Sequence, residues 1–343
     1  MRKIVIHRPG GYARLRLESH PDPVVSTGEV RVAVRHAGVN YADCVIRMGL
    51  YASAKRLVGW PITPGFEVAG EVTEVGPAVT GFTPGMRVIG VTLFNGYSSE
   101  LVLPATQVFP IPAELDTAQA AALPTVFLTA WFALHELAHA RQNEHVLVHS
   151  AAGGVGGAAL QLARQAGAQV TAVVGGPHKI EAARTMGAAQ VIDKSSGNLW
   201  AQLETLAPTG FDVILDANGV STLGDSYRHL APLGRLVVYG FHGMLPKQGG
   251  RPNGFKLAWD WLRTPRFNPL NLTMDNRSVL AFNLSFLSQR ADLLLPAMQK
   301  ILAGFDNGDF RCPPLTIYPL EQVAEAHRAL ESGQTIGKLV LEI

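Results

Sequence analysis

Residues 146–176 read VLVHSAAGGVGGAALQLARQAGAQVTAVVGG. The apolar run Val146–Val148 suits a strand buried on both faces, and Ala158, Ala159, Leu162 and Ala163 recur at helical spacing behind a glycine-rich turn. A second apolar run closes the segment, which therefore reads as a dinucleotide-binding βαβ unit. Gly153, Gly154 and Gly156 remove side chains where the backbone must bend and a pyrophosphate must approach the amides of a helix N-terminus. Ala152, Gly153, Gly154 and Val155 are the expected lining of that phosphate site. The spacing A-x-G-x-x-G lacks the first glycine of the usual fingerprint, and it is the strand, helix and strand around it that carry the reading.

The end of the second strand bears on which dinucleotide is bound. An enzyme for the unphosphorylated cofactor places Asp or Glu there to hold the ribose 2′-OH, whereas this chain has Gly175, Gly176, Pro177, His178 and Lys179. Lys179, and Lys194 after a third strand at Gln190–Asp193, are cations suited to a 2′-phosphate, so NADPH is the expected cofactor.

With 343 residues, the chain exceeds what one core usually supports, and 47% hydrophobic residues with 35 glycines match an α/β protein of two domains. A net charge of +2, without a block of like charges, offers no footprint for nucleic acid. No apolar run has transmembrane length and Met1–Gly10 lacks the apolar core of a signal peptide, so a cytoplasmic protein is expected. Cys44 and Cys312 are too few for a disulfide framework and suit a reducing compartment.

Before Thr117 the texture is β-rich: Val30–Val34, Val68–Val75 and Arg87–Val91 are short strands punctuated by Gly, Pro and Thr, as in a partly open barrel. After it, strands near 146, 170, 190, 212 and 235 alternate with helices, the pattern of a doubly wound parallel sheet, with a sixth strand expected at Val279–Phe286. Leu320–Ile343 is expected to return to the first domain. The reading divides the chain into a catalytic domain, 1–122 with 314–343, and a nucleotide domain, 123–313.

AGVNYADCVIRMGLY (37–51), PITPGFEVAGEVTEVG (61–76), GMRVIG (85–90), HSAAGGVGGAALQLARQAGA (149–168) and EQVAEAHRALESGQTIGKLVL (321–341) resemble the quinone oxidoreductase branch of the medium-chain dehydrogenase/reductase superfamily. RTPRFNPLNLTMDNRSVLAFNLSFL (263–287) resembles its vesicle amine transport protein subgroup. The resemblance implies a GroES-like β-rich catalytic domain, a Rossmann nucleotide domain, a cleft between them and a homodimer formed through the nucleotide domains. Where the zinc-using branch carries a Cys, this chain has Asn40, and where that branch has the His of G-H-E, it has Phe66. The cysteine-rich structural zinc lobe is missing too, so no metal is expected. His135 and His139, spaced i, i+4 on an expected helix, lack a third ligand and read as solvated.

Hydride transfer without a Lewis acid suits a small, hydrophobic, electron-poor acceptor, a quinone or an α,β-unsaturated carbonyl, whose oxygen gathers charge and needs donors. Asn40 and Tyr51 lie in the stretch that the resemblance places beside the nicotinamide, Asn40 to orient acceptor or cofactor and Tyr51 to donate a hydrogen bond or a proton. A phenol's ordinary pKa of about 10 favours the hydrogen bond. Asn40 and Asp43 also have the spacing of a helix N-cap with an acid at N3; cap and site roles weigh equally for Asp43, while Asn40 is favoured as a site residue. Cys44 reads as a small buried hydrophobe, and Arg47 as either a cofactor contact or an ordinary paired or solvated charge.

Fold and resemblance together add Thr125 and Thr129 near the nicotinamide or its ribose, Asn218 after the fourth strand, Tyr239, Gly240 and Phe241 after the fifth, Phe282 and Leu284 in the sixth, and Lys338 near the C-terminus. The excursion His242–Asn276 carries Trp259, Trp261, Leu262 and Phe267 beside Lys256, Arg263 and Arg266. A lid or an oligomer contact is favoured over a membrane-surface helix, because Pro265 and Pro269 interrupt it. The competing reading is a nucleotide-binding regulatory or membrane-associated protein with little turnover.

Overall fold

The computed structural model describes residues 1–288 and 290–343. The chain forms two compact units, one of Met1–Thr125, Lys247–Arg251 and Ser285–Ile343, the other of Val126–Pro246 and Pro252–Leu284.

The first unit opens with strands β1 (Arg2–Val5), β2 (Arg16–Ser19), β3 (Glu29–Val39), β4 (Glu67–Val75), β5 (Arg87–Val91), β6 (Glu100–Pro104) and β7 (Val108–Pro110), with helices α1 (Tyr41–Arg47) and α2 (Thr117–Ala121). Helix α3 (Pro124–Trp131) leads into the second unit, which continues β8 (His145–Val148), α4 (Gly154–Gln165), β9 (Gln169–Val174), α5 (Ile180–Thr185), β10 (Gln190–Asp193), α6 (Leu199–Leu206), β11 (Phe211–Asp216), α7 (Leu223–Arg228), β12 (Leu230–Val238), α8 (Gly254–Arg263), α9 (Pro269–Asp275) and β13 (Ser278–Ala281). The chain then re-enters the first unit with α10 (Ala291–Asp306), β14 (Leu315–Pro319), α11 (Val323–Ser332) and β15 (Lys338–Glu342).

Strand β3 shows why the first unit forms. Val30, Val32 and Val34 alternate inward and are at most 4% exposed, while Arg31 and Arg35 point away. A register shift between Val34 and His36 then re-aims the strand so that Ala37 and Val39 are buried next. β3 pairs antiparallel with β4, β6 and β15, which makes it the middle of a sheet ordered β14-β15-β3-β4-β5-β7. The C-terminal return of the chain is thus a pairing of Leu339–Glu342 with His36–Val39.

In the second unit, β10-β9-β8-β11-β12-β13 is parallel throughout. All its strand ends that lead into helices lie along one edge, the edge at which open α/β sheets bind ligands.

Three expectations shift. The sixth strand is shorter than Val279–Phe286: it ends at Ala281, and Leu284 lies in a 3-10 turn, Leu284–Leu287. Residues 247–251 and 285–313, assigned by sequence to the nucleotide domain, pack with the first unit. His139 lies beyond the helical turn Phe132–Leu137 with φ of +46°, so it does not share a helical face with His135.

Candidate functional site

Asn40 closes β3 and immediately precedes α1. Its backbone N–H donates to Asp43 Oδ2 at 2.8 Å, so the acid at N3 caps the helix. The side chain has other duties: Asn40 Nδ2 donates to Glu67 Oε1 at 2.9 Å, and Lys338 Nζ donates to Asn40 Oδ1 at 2.5 Å. Lys338 also sits 2.6 Å from Glu67 Oε1, and Glu67 Oε2 accepts the Thr125 N–H at 2.7 Å. Glu67 is fully buried and Lys338 only 3% exposed, so a cation, an amide and a backbone donor surround one buried carboxylate. Gly38 makes room for it, since a methyl there would lie 2.3 Å from Glu67 Oε1. An amide nitrogen has two hydrogens, and Glu67 takes one of Asn40's.

Asp43 binds a second layer. Its Oδ1 accepts the Gly65 N–H at 2.9 Å, and Tyr97 Oη donates to Oδ2 at 3.0 Å. It therefore ties α1 to the 61–66 loop that delivers Phe66 and Glu67. Burial pushes its carboxyl up to about 6 despite these donors and Lys338. Tyr97 Oη also lies 3.4 Å from His327 Nε2, and burial drives that imidazole down to about 3. Tyr51 is half-buried and packs edge-on to Phe66 at 6.0 Å, so the adjacent residues Phe66 and Glu67 hold the two expected donors.

Arg47 resolves to the ordinary alternative. It is fully buried, 2.5 Å from Glu331, with its guanidinium over the Tyr12 ring. Cys44, buried as expected, brings its sulfur within 4.8 Å of ligand atoms of His327 and Glu331. Arg47 already pairs with Glu331, and burial pushes the Cys44 thiol up.

In the second unit the turn after β8 is built for close approach. Gly153 is the extended N-cap of α4, and a methyl on Gly156 would lie 2.5 Å from Ser150 O. Gly153 itself is open, with Ser150 O the nearest atom to such a methyl at 3.4 Å. Ser150 Oγ donates to Asn218 Oδ1 at 2.9 Å, joining the ends of β8 and β11. Asp216, fully buried, fixes that second end by accepting the N–H groups of Asn218 and Gly219 and the Ser226 hydroxyl. Tyr239 N–H donates to Asp216 O, and its ring lies 6.5 Å from Phe282. Phe241 is 44% exposed and packs over Gly219. Lys179 is buried, and burial together with the Lys194 cation lowers its ammonium; a methyl on Gly175 would lie 3.9 Å from Lys194 Cε. Gly175, Lys179 and Lys194 thus gather after β9 and β10, as the sequence places them. The glycine cradle fits the pyrophosphate of a dinucleotide.

Sequence reasoning missed Glu67 as a site residue. The signal was available: a carboxylate opening the apolar run Val68–Ala69 needs a cation or donors close by.

A β-rich unit joined to a parallel nucleotide-binding sheet defines a two-domain NAD(P)-binding oxidoreductase. Residues 26–113 match the alcohol dehydrogenase GroES-like domain family and 154–298 the zinc-binding dehydrogenase family. The synaptic vesicle membrane protein VAT-1 homolog of Danio rerio is 33% identical over 99% of this chain and 69% of its own length. Escherichia coli quinone oxidoreductase complexed with NADPH superimposes with a TM-score of 0.85 and 27% identity, covering 100% of both chains. The CurK enoyl reductase does so at 0.86 and 25%, covering 99% of this chain and 98% of that one. The chain belongs to the medium-chain dehydrogenase/reductase superfamily, close to the VAT-1 homologs and quinone oxidoreductases.

Proposed function

We propose that this protein is an NADPH-dependent, zinc-independent reductase of quinones or α,β-unsaturated carbonyls. The observation that carries the reading is the Lys338 ammonium on Glu67 and Asn40: a fixed cation stands against the carboxylate of the Gly65-Phe66-Glu67 motif, whose zinc-ligand positions hold Phe66 and Asn40. NADPH would be held by Ala152–Val155 at the start of α4, with Lys179 and Lys194 at its 2′-phosphate, and would supply a hydride. Glu67 and Lys338 orient the Asn40 amide so that its second N–H faces the acceptor oxygen, and Tyr51 offers a further donor. On an enone, hydride adds to the β-carbon, the π electrons move to the oxygen, and the α-carbon takes a proton from water or Tyr51. A homodimer through the second unit and a cytoplasmic location complete the proposal; no helix among the described residues is long and apolar enough to cross a membrane.

One observation favours an added contact role. Phe255, Trp259 and Leu262 on α8, and Leu270 and Met274 on α9, are all more than 60% exposed and recur at helical spacing. This supports the oligomer contact read from the sequence.

The test is NADPH oxidation against a quinone, a conjugated enone and a plain ketone, with NADH in parallel. Turnover of the first two with NADPH is expected, and preference for the ketone or for NADH would overturn the reading.

A further inference from the structure

Tyr227 on α7 takes no part in the chemistry above, yet it is held from three sides. Its hydroxyl donates to Asp275 Oδ2 at 2.9 Å and the Phe267 ring packs at 5.3 Å. Arg277 donates to Tyr227 O at 3.3 Å and lays its guanidinium 5.6 Å from the ring centre. The ring is thereby fixed as one wall of a cavity of about 230 Å³ between α7 and the 265–275 segment. Gly224 and Arg228 line the cavity from the same face of α7, three residues before Tyr227 and one after it, and Arg266 and Asn271 line it from the other side. Leu270 and Met274, the exposed residues that support an oligomer contact, lie on a different face of α9 from Asn271 and Asp275, so the cavity does not depend on that contact.

Volume and charge set what fits. A dry cavity of about 150 Å³ holds one benzene, so this one takes a single ring with a short substituent. Arg228 is paired with Asp225, and Asp275 is engaged by the Tyr227 hydroxyl. By contrast the Arg266 guanidinium has no ion pair, and the Asn271 amide no hydrogen bond, among the described residues. One unmatched cation calls for one negative charge, and a planar guanidinium fork beside an amide suits a carboxylate. A phosphate would bring about two charges to that one cation. The opposite face of α7 reaches the dinucleotide edge of the same unit. Ser226 is buried; its hydroxyl donates to Asp216 Oδ2 at 2.9 Å and, its hydrogen spent there, accepts the His149 Nε2–H at 3.1 Å. Asp216 Oδ1 in turn holds the N–H groups of Asn218 and Gly219, and Asn218 is joined to Ser150 in front of the glycine turn.

We propose that this cavity is an effector site for a single-ring aromatic carboxylate, and that its occupation, by holding α7, tightens NADPH at the glycine turn. The second half rests on the NADPH reading above. The ring lies against Tyr227 and Phe267, and the carboxylate meets Arg266 and Asn271. Helix α7 is only six residues long, with the cavity on one face and the Ser226 contact to Asp216 on the other, so a ligand that fixes the first face fixes the second.

The probe is benzoate, compared by isothermal titration with benzyl alcohol, which lacks the charge, and acetate, which lacks the ring. Benzoate should bind about tenfold or more tightly than either, the scale of a charge-assisted bond. Gly224→Leu fills the cavity without strain, since a methyl there would meet only Arg228 Nη1 and Pro265 Cγ, each at 3.8 Å, and leucine is the better helix former. That variant and Arg266→Gln should each weaken benzoate about tenfold or more and leave the NADPH Kd in benzoate-free buffer unchanged. Saturating benzoate should lower the wild-type NADPH Kd about fivefold, and NADPH should tighten benzoate by the same factor. Ser226→Ala should bind benzoate as wild type does and lose that mutual effect. Benzoate binding no tighter than that of the two controls, or binding that survives Gly224→Leu, would overturn the proposal. So would benzoate held in the cavity with the dinucleotide Kd unmoved. The same mutual effect on NADH in place of NADPH would uphold the effector site and break the NADPH reading.

Discussion

Lys338 and Lys179 are both buried lysines whose charged neighbours differ in sign. Lys338 faces a buried carboxylate 2.6 Å away, so its charge is balanced within the fold and its task is to hold Glu67 and Asn40. Lys179 is buried as well, and burial together with the Lys194 cation lowers its ammonium. A cation held against a buried carboxylate positions its neighbours, whereas two cations side by side raise the local positive potential.

Breaking the matched pair should have the largest effect. Glu67→Gln leaves Lys338 buried without its counter-charge and should cost about 3–5 kcal/mol in urea unfolding, with Glu67→Gln/Lys338→Met recovering most of it. If Glu67→Gln is neutral, Lys338 is not balanced by Glu67 as described. Next, Asn40→Ala should lower kcat by roughly 10²–10³, the loss of one preorganised donor, and Tyr51→Phe by less, with NADPH affinity kept.

The layer behind Asn40 can be probed by pH. Asp43 titrates near 6 when folded and near about 3.9 unfolded, so its contribution to stability falls as pH rises from about 4 to 6. His327, near 3 when folded and about 6.5 unfolded, contributes stability that is lost as pH falls through that window. The two oppose each other between about pH 4 and 6. Asp43→Asn should therefore make stability rise with pH there, by up to about 3 kcal/mol relative to wild type, and His327→Asn should make it fall. Parallel curves for all three proteins would show that these groups are not perturbed. At the end of β9 and β10, Lys179→Ala or Lys194→Ala should each raise the NADPH Kd about tenfold and leave NADH unchanged, a difference that isothermal titration would measure.

Much of the site is local and so was legible. Asn40, its N-cap position and the acid at N3 fall within four residues, and the glycine turn lies between periodic runs that announce themselves. Arg47 remained undecided because its partner, Glu331, is 284 positions away. Leu284 was misplaced in a strand because an apolar run does not reveal where pairing stops; β13 ends after pairing Ala281 with Val238.

By itself the sequence determined the alternation of strands and helices and the glycine turn after β8, because periodicity and glycine placement act over a few neighbours. Only the tertiary structure decided what each charge meets. Lys338 reaches Asn40 across 298 positions because β15 pairs with β3, and Arg47 meets Glu331 across 284. Electrostatic partners are chosen by distance in space, and that distance is set by the packing of the whole chain.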